Sequence, residues 1–121
     1  MFGPIHRNFV ARLQPNMEDF VHLHVHSQYS ILDGQASIGS LLKKAVADGM
    51  QGMALTDHGN MMGVKEFYNE AKKAIGKAKE SLKKAQEEGE SEEQIAKLQR
   101  AAAFKPILGC EMYVARRTLK D

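Results

Sequence analysis

The sequence predicts an α/β fold built from βα units on a parallel sheet. Three observations point there. Strand-like runs at about 20–26, 52–56 and 107–114 alternate with helical patterns, in the order strand, helix, strand, helices, strand. The third run, from Ile107 to Val114, is apolar on both faces, as strands of a covered parallel sheet are. His, Asp and Glu residues gather at or just past the ends of these runs, and parallel α/β folds form their sites at the C-terminal ends of strands.

Residues 1–16 carry two prolines and no clear period. They read as a loose leader, in which His6 is given no role, and Met17 stands just before the first ordered-looking strand. The predicted first strand is Phe20–His26. Alternate side chains point to opposite faces, so Val21, Leu23 and Val25 share one face and His22, His24 and His26 the other. Asp33-Gly34 then marks a turn. A helix is predicted over Ile38–Asp48, with Ser37 as N-cap and Gly49 just past its end. Its apolar residues Ile38, Leu41, Leu42, Ala45 and Val46 keep the spacing of one helical face. The second strand is Gly52–Thr56, followed by a turn at Asp57-His58-Gly59. Asn60 is the candidate N-cap of a long helix from Met61 to near Gly89, with Phe67, Ala71, Ala74, Ala78, Leu82 and Ala85 on its stripe. Ser91-Glu92-Glu93-Gln94 is a capping box that opens another helix, striped by Ile95, Leu98 and Ala102. Residues 72–103 therefore read as a charged antiparallel helical hairpin, either a docking arm or a solvated insertion. Lys105 and Pro106 end it.

Composition sets the outer limits. A chain of 121 residues has room for one small domain with a core of its own. With 17 basic against 15 acidic residues the net charge is +2, too weak to argue for a nucleic-acid surface by itself. A single Cys excludes an internal disulfide and fits a reducing compartment. No apolar run approaches the ~18 residues of a membrane span. A cytoplasmic chain without a membrane partner is expected.

The chemistry lies in the polar clusters. Neighbouring imidazoles on one strand face are about 6.5–7 Å apart at the backbone, so two rings are able to tilt onto one metal ion. His24 and His26 are the better placed of the three, being nearer the strand's C-terminal end; His22 is expected in a supporting or packing role. Glu111 is one carboxylate in an otherwise apolar strand. It needs a metal or an adjacent His unless it sits at a frayed, wetted end. Asp33 is either an oxygen ligand or part of a plain Asp-Gly turn. Asp57 beside His58 reads as ligand plus orienting residue. Mixed His and carboxylate ligands suit Zn²⁺, Mn²⁺ or Fe²⁺ better than Mg²⁺ or Ca²⁺. Several such ligands on one rim point to phosphoester hydrolysis by clustered metals, with the helix N-terminus at Asn60–Met61 adding N–H groups for a phosphate.

These residues resemble a known family. His24-Val25-His26-Ser27, Asp33-Gly34, Thr56-Asp57-His58-Gly59 and Gly109-Cys110-Glu111 are similar to the first motifs of the PHP (polymerase and histidinol phosphatase) family. The likeness covers Asp19–Ala71 and Lys105–Val114 and is nearest to the PHP segment at the N-terminus of bacterial replicative DNA polymerase alpha subunits. The resemblance implies a distorted, TIM-like barrel of seven βα units. Residues 17–121 would supply its first units, with 72–103 as an insertion. It implies His24 and His26 as ligands of one metal, Asp33 and His58 serving a second, Glu111 bridging, and Asp57 orienting. It implies Zn or Mn in a multi-metal cluster whose remaining His, Cys and Asp ligands follow Asp121. The segment alone is then expected to lack turnover. In the whole protein the resemblance implies DNA polymerisation with a phosphoesterase or 3′–5′ exonuclease site. Its partners would be DNA, a proofreading exonuclease, a sliding clamp and a clamp loader. The alternatives are a non-catalytic scaffold that supports the polymerase and docks a proofreading subunit, or a histidinol-phosphatase-like enzyme.

Overall fold

The computed structural model describes residues 20–120. The predicted leader, with His6, and Met17 lie outside the described residues. The elements run α1 (Ile38–Ala47), β1 (Gly52–His58), α2 (Val64–Glu88), α3 (Glu92–Ala102) and β2 (Lys105–Glu111). β1 and β2 pair in parallel, in register from Gly52 opposite Lys105 to His58 opposite Glu111. The mixed α/β character with a parallel pair is as predicted.

The first predicted strand differs. Residues 20–26 run parallel along the other side of β1 but form only an isolated bridge, His22 to Met53. Ala54 N–H donates to the His22 carbonyl and Thr56 N–H to the Val25 carbonyl, each at 2.9 Å. Three residues of the segment thus span two of β1, one more than a regular ladder allows, which is the count of a bulge. The Val25 N–H turns to the Thr56 hydroxyl at 2.8 Å instead of to backbone. The extra residue breaks the alternation, and Leu23 is 65% exposed while Val21 and Val25 are half-buried.

β1 is the central strand. Gly52 to Leu55 are buried without a break, as expected of a strand covered on both faces. It runs two residues beyond its predicted end, to His58. β2 starts two residues early and stops at Glu111, so Met112–Val114 lie past it. Pro106 is tolerated because it sits at the strand's start. The expected cover on both faces of β2 is absent among the described residues: Ile107 is 40% and Leu108 46% exposed.

The helices follow their local signals. Ser37 caps α1 by accepting from the Ser40 N–H, and Asp48 is its C-cap. Ser91 caps α3 by accepting from the Gln94 N–H. α2 begins at Val64, later than predicted, because Asn60 caps a turn instead: its Oδ1 accepts from the Met62 N–H at 3.1 Å. Gly63 then opens the helix in a tight spot. A Cβ there would lie 2.8 Å from Ile38 Cδ1 and 2.9 Å from Tyr29 Cδ2, so any other residue would make these side chains shift.

One core cluster joins Ile38, Leu42 and Ala45 of α1, Met53 and Leu55 of β1, Phe67 and Ala71 of α2, and Phe104. Of the predicted α2 stripe, Phe67, Ala71, Ala78 and Ala85 are buried, while Ala74 and Leu82 are half-buried. α3 has no buried residue and packs on the distal half of α2. Residues 76–103 thus contribute no member to the core cluster. Phe67→Ala is expected to cost about 3–5 kcal/mol in urea unfolding. Replacing residues 77–100 by a short Gly/Ser turn should leave the methyl NMR signals of Leu42, Met53 and Leu55 in place. Collapse of those signals in the shortened chain would make the hairpin part of the core.

Candidate metal centre

The site forms where the sheet ends. His58 and Glu111 are the last residues of β1 and β2 and face each other in register. His24 and His26 come from the segment on the far side of β1, roughly 10 Å from β2 at ordinary strand spacing. Their long side chains close that gap. Glu111 Oε2 lies 3.0 Å from His24 Nε2 and is in close contact with His26 Nε2 as well. The two Nε2 atoms are 3.3 Å apart, with the rings edge to face. The three ligand atoms lie within 4.8 Å of one another. Two imidazole nitrogens and a carboxylate oxygen turned to one point are a donor set that a borderline divalent cation accepts. Hydrogen bonds from His24, then from His26, hold the Glu111 carboxyl below its ordinary value of 4.5.

Asp33 and His58 form a second pair. Asp33 Oδ2 is in close contact with His58 Nδ1, and the Tyr113 hydroxyl lies 2.7 Å from His58 Nε2. The Asp33 hydrogen bond raises His58 above its ordinary 6.5, against the opposing effect of burial. The His58 ring stacks on His26 at 5.7 Å between centroids. The pair thus stands beside the first cluster, not inside it.

Asp57 is arranged differently from expectation, while His22 packs as expected. Asp57 does not orient the His58 ring. It is 1% exposed and turns to the loop after His26. Its Oδ1 accepts from the Ser27 N–H at 2.7 Å and the Ser30 hydroxyl at 2.9 Å, while the Ser27 hydroxyl lies 2.9 Å from Oδ2. Ser30 Oγ in turn accepts from the His58 N–H at 2.9 Å. His22 takes no part in the cluster; its ring packs edge-on against Phe20 at 4.6 Å. The helix N-terminus expected to serve a phosphate has moved to Val64, and the Met62 and Val64 amides are engaged internally. Three contributors escaped the sequence reading. Ser27 and Ser30 left only a Ser-x-x-Ser spacing after the histidines. Tyr113 left its position two residues beyond Glu111, on the same face of an extended chain. It packs over Gly59, whose φ of 68° turns the chain there; a Cβ on Gly59 would lie 2.6 Å from Tyr113 Cε2.

Comparison with known families matches residues 22–121 to the PHP domain. The chain belongs to the PHP domain family. Several curated relatives share a name. The chain is 53% identical over 99 residues to DNA polymerase III subunit alpha of Saccharopolyspora erythraea, covering 82% of this chain and 6% of that one. It is 41% identical over 97 residues to the Borreliella burgdorferi protein of that name, covering 80% and 6%. For Mycobacterium tuberculosis H37Rv the figures are 38% over 96 residues, 79% and 6%. The chain thus spans about 6% of the length of these relatives. PHP domains are in general metal-dependent, in keeping with the His and Glu cluster of this one. Among the described residues no helix is long and apolar enough to cross a membrane.

Two outcomes are expected of this PHP site. Asp57→Ala removes the acceptor of three donors and should lower stability by about 3 kcal/mol or more in urea unfolding, with Asp57→Asn less severe. In pH titration the two pairs should part in opposite directions. The Glu111 pairing, whose carboxyl is depressed, holds above 4.5 and is lost as pH falls through the lowered value. The His58 pairing with Asp33, whose imidazole is raised, is complete below 6.5 and is lost as pH rises through the raised value. Imidazole NMR of Asp33→Asn should show His58 returning toward 6.5; an unchanged titration would exclude Asp33 as the cause.

Proposed function

We propose that this chain is a PHP-domain piece of a DNA polymerase III alpha-type replicative subunit. We read its strand-end cluster as part of a metal-dependent phosphoesterase site of 3′–5′ exonuclease type. The observation that supports this most is the meeting of His24, His26 and Glu111 from two segments on opposite sides of β1. In this reading His24 and His26 hold one cation, Asp33 and His58 serve a second, and Glu111 bridges. Zn²⁺ and Mn²⁺ fit two imidazoles and carboxylates better than a harder cation. A divalent cation there supplies Lewis acidity at a phosphoryl oxygen and acidifies a water nucleophile. The chain's own residues prepare the place. Asp57 fixes the loop that carries His26 onward, and Asp33 sets the His58 ring with Nε2 toward the Tyr113 hydroxyl. The half-buried His26 anchors the inner side of the cluster, while His24, whose side chain is 70% exposed, faces solvent.

In the whole subunit the partners would be DNA, the proofreading exonuclease, the sliding clamp and the clamp loader, in the cytoplasm, with nucleotidyl transfer carried out elsewhere in that longer chain. The name of the relatives, DNA polymerase III subunit alpha, supports DNA and further polymerase subunits as partners in general. A second reading, a scaffold that docks the proofreading subunit, is favoured by the α2–α3 hairpin, which packs on itself and leaves α3 without a buried residue.

Zn²⁺ titration of the 121-residue chain, followed by imidazole NMR and calorimetry, tests the ligand assignment. His24 and His26 signals should respond first. His26→Ala should weaken binding at least tenfold, about 1.4 kcal/mol at 25 °C. A response confined to His6 or His22, or unchanged affinity in His26→Ala, would remove the assignment.

A further inference from the structure

A cavity of about 320 Å³ lies beside the cluster, between the loop after His26, the turn after β1 and Tyr113. Small-molecule sites span roughly 300–1,000 Å³, so this one takes a single small ligand and not an oligomer. Among the described residues no Lys or Arg lines it, and Asp33 brings a carboxylate. An anionic group is therefore not held inside it. Its apolar residues gather around the opening instead of scattering: Leu32 is 96%, Met62 69% and Tyr113 76% exposed.

The polar side chains of the cavity are already engaged. The Tyr29 hydroxyl donates to Glu66 at 2.6 Å and the Ser30 hydroxyl to Asp57 at 2.9 Å. Asp33 pairs with His58, and Tyr113 meets the other nitrogen of that ring. The Asn60 amide donates to the Tyr29 and His58 carbonyls and accepts from the Met62 N–H. What remains for a ligand is apolar and aromatic surface. His58 belongs both to the cavity wall and to the ring stack on His26. A ligand seated here has one end against the metal cluster.

We propose that the cavity is a nucleoside subsite. It seats the base of a nucleotide whose phosphoester lies at the cluster. The base is held by stacking on Tyr113 and by contact with Leu32 and Met62, and its hydrogen-bonding edge goes unread. The choice of a nucleoside rests on the phosphoester reading above. Binding then follows stacking area, purine over pyrimidine, and tolerates any base.

The test uses the 121-residue chain with labelled methyl and aromatic groups and no metal. It is titrated separately with deoxyadenosine, deoxyinosine, deoxycytidine, thymidine and 2-deoxyribose 5-phosphate. Signals of Tyr113, Leu32 and Met62 should move with the nucleosides, more tightly for the two purines. Deoxyadenosine and deoxyinosine, whose edges are reversed, should bind alike. Tyr113→Ala should weaken binding roughly tenfold. Tyr113→Phe should retain it, since the hydroxyl is engaged with His58. Leu32→Ser, at an exposed site, should weaken binding without changing the fold. Several results overturn the proposal. These are no shift with any nucleoside, equal shifts with the sugar phosphate, or more than tenfold preference between the two purines. Shifts that follow chain concentration instead of nucleoside would mean that a second copy fills the cavity. Because no metal is present, failure here leaves the ligand assignment to the Zn²⁺ titration, and loss of Zn²⁺ binding leaves this result intact.

Discussion

Asp57 ties the two halves of the site together. Its carboxyl is 1% exposed, and its hydrogen bonds go to Ser27 and Ser30, about thirty residues earlier. A carboxyl buried without partners costs several kcal/mol, so the loop after His26 has one favourable arrangement. Ser30 completes the tie by accepting from the His58 amide. The segment carrying His24 and His26 has only two backbone amides of β1 donating to it, too few to fix imidazole positions. The Asp57 anchor is what makes the His26–His58 stack and the approach to Glu111 reproducible.

The irregularity of that segment serves the same end. A regular third strand would have the Thr56 N–H donate to the His24 carbonyl and keep strict alternation. With three residues against two, the ladder yields at this point, Leu23 turns to solvent, and both imidazoles reach one carboxylate oxygen. The loss of regular pairing is partly offset by the Thr56 hydroxyl, which accepts the Val25 N–H at 2.8 Å. Bulges of this kind re-aim side chains near sites.

Legibility in the sequence followed the range of the interaction. Ser37, Gly49, Gly89 and Ser91 marked helix ends because caps act within a turn. β1 and β2 were readable from their apolar runs, and the strand-end placement of His58 and Glu111 followed from the βα order. The Phe20–His26 alternation suggested a regular strand because nothing local shows that Thr56 intercepts an amide. Asp57 was assigned to its sequence neighbour His58, while its partners Ser27 and Ser30 are brought to it by folding. Asn60 reads as a helix cap by type and serves a turn instead, since Gly63 is where the backbone passes close to Ile38 and Tyr29.

The contacts that order the rim would also govern how it took up the cation proposed for it. His24 and His26 are turned to Glu111, and His58 to Asp33, so each prospective ligand atom already has a partner. Under the proposed reading, binding would be an exchange of protons and hydrogen bonds for a cation at groups already in place. Affinity reports the difference between the two sets of contacts. What the sheet contributes is that little of this difference is spent on bringing the groups together. His58 stands at the junction, stacked on His26 and lining the neighbouring cavity. A change in its partners therefore reaches both the cluster and whatever sits beside it, and this coupling follows from β1 ending where it does.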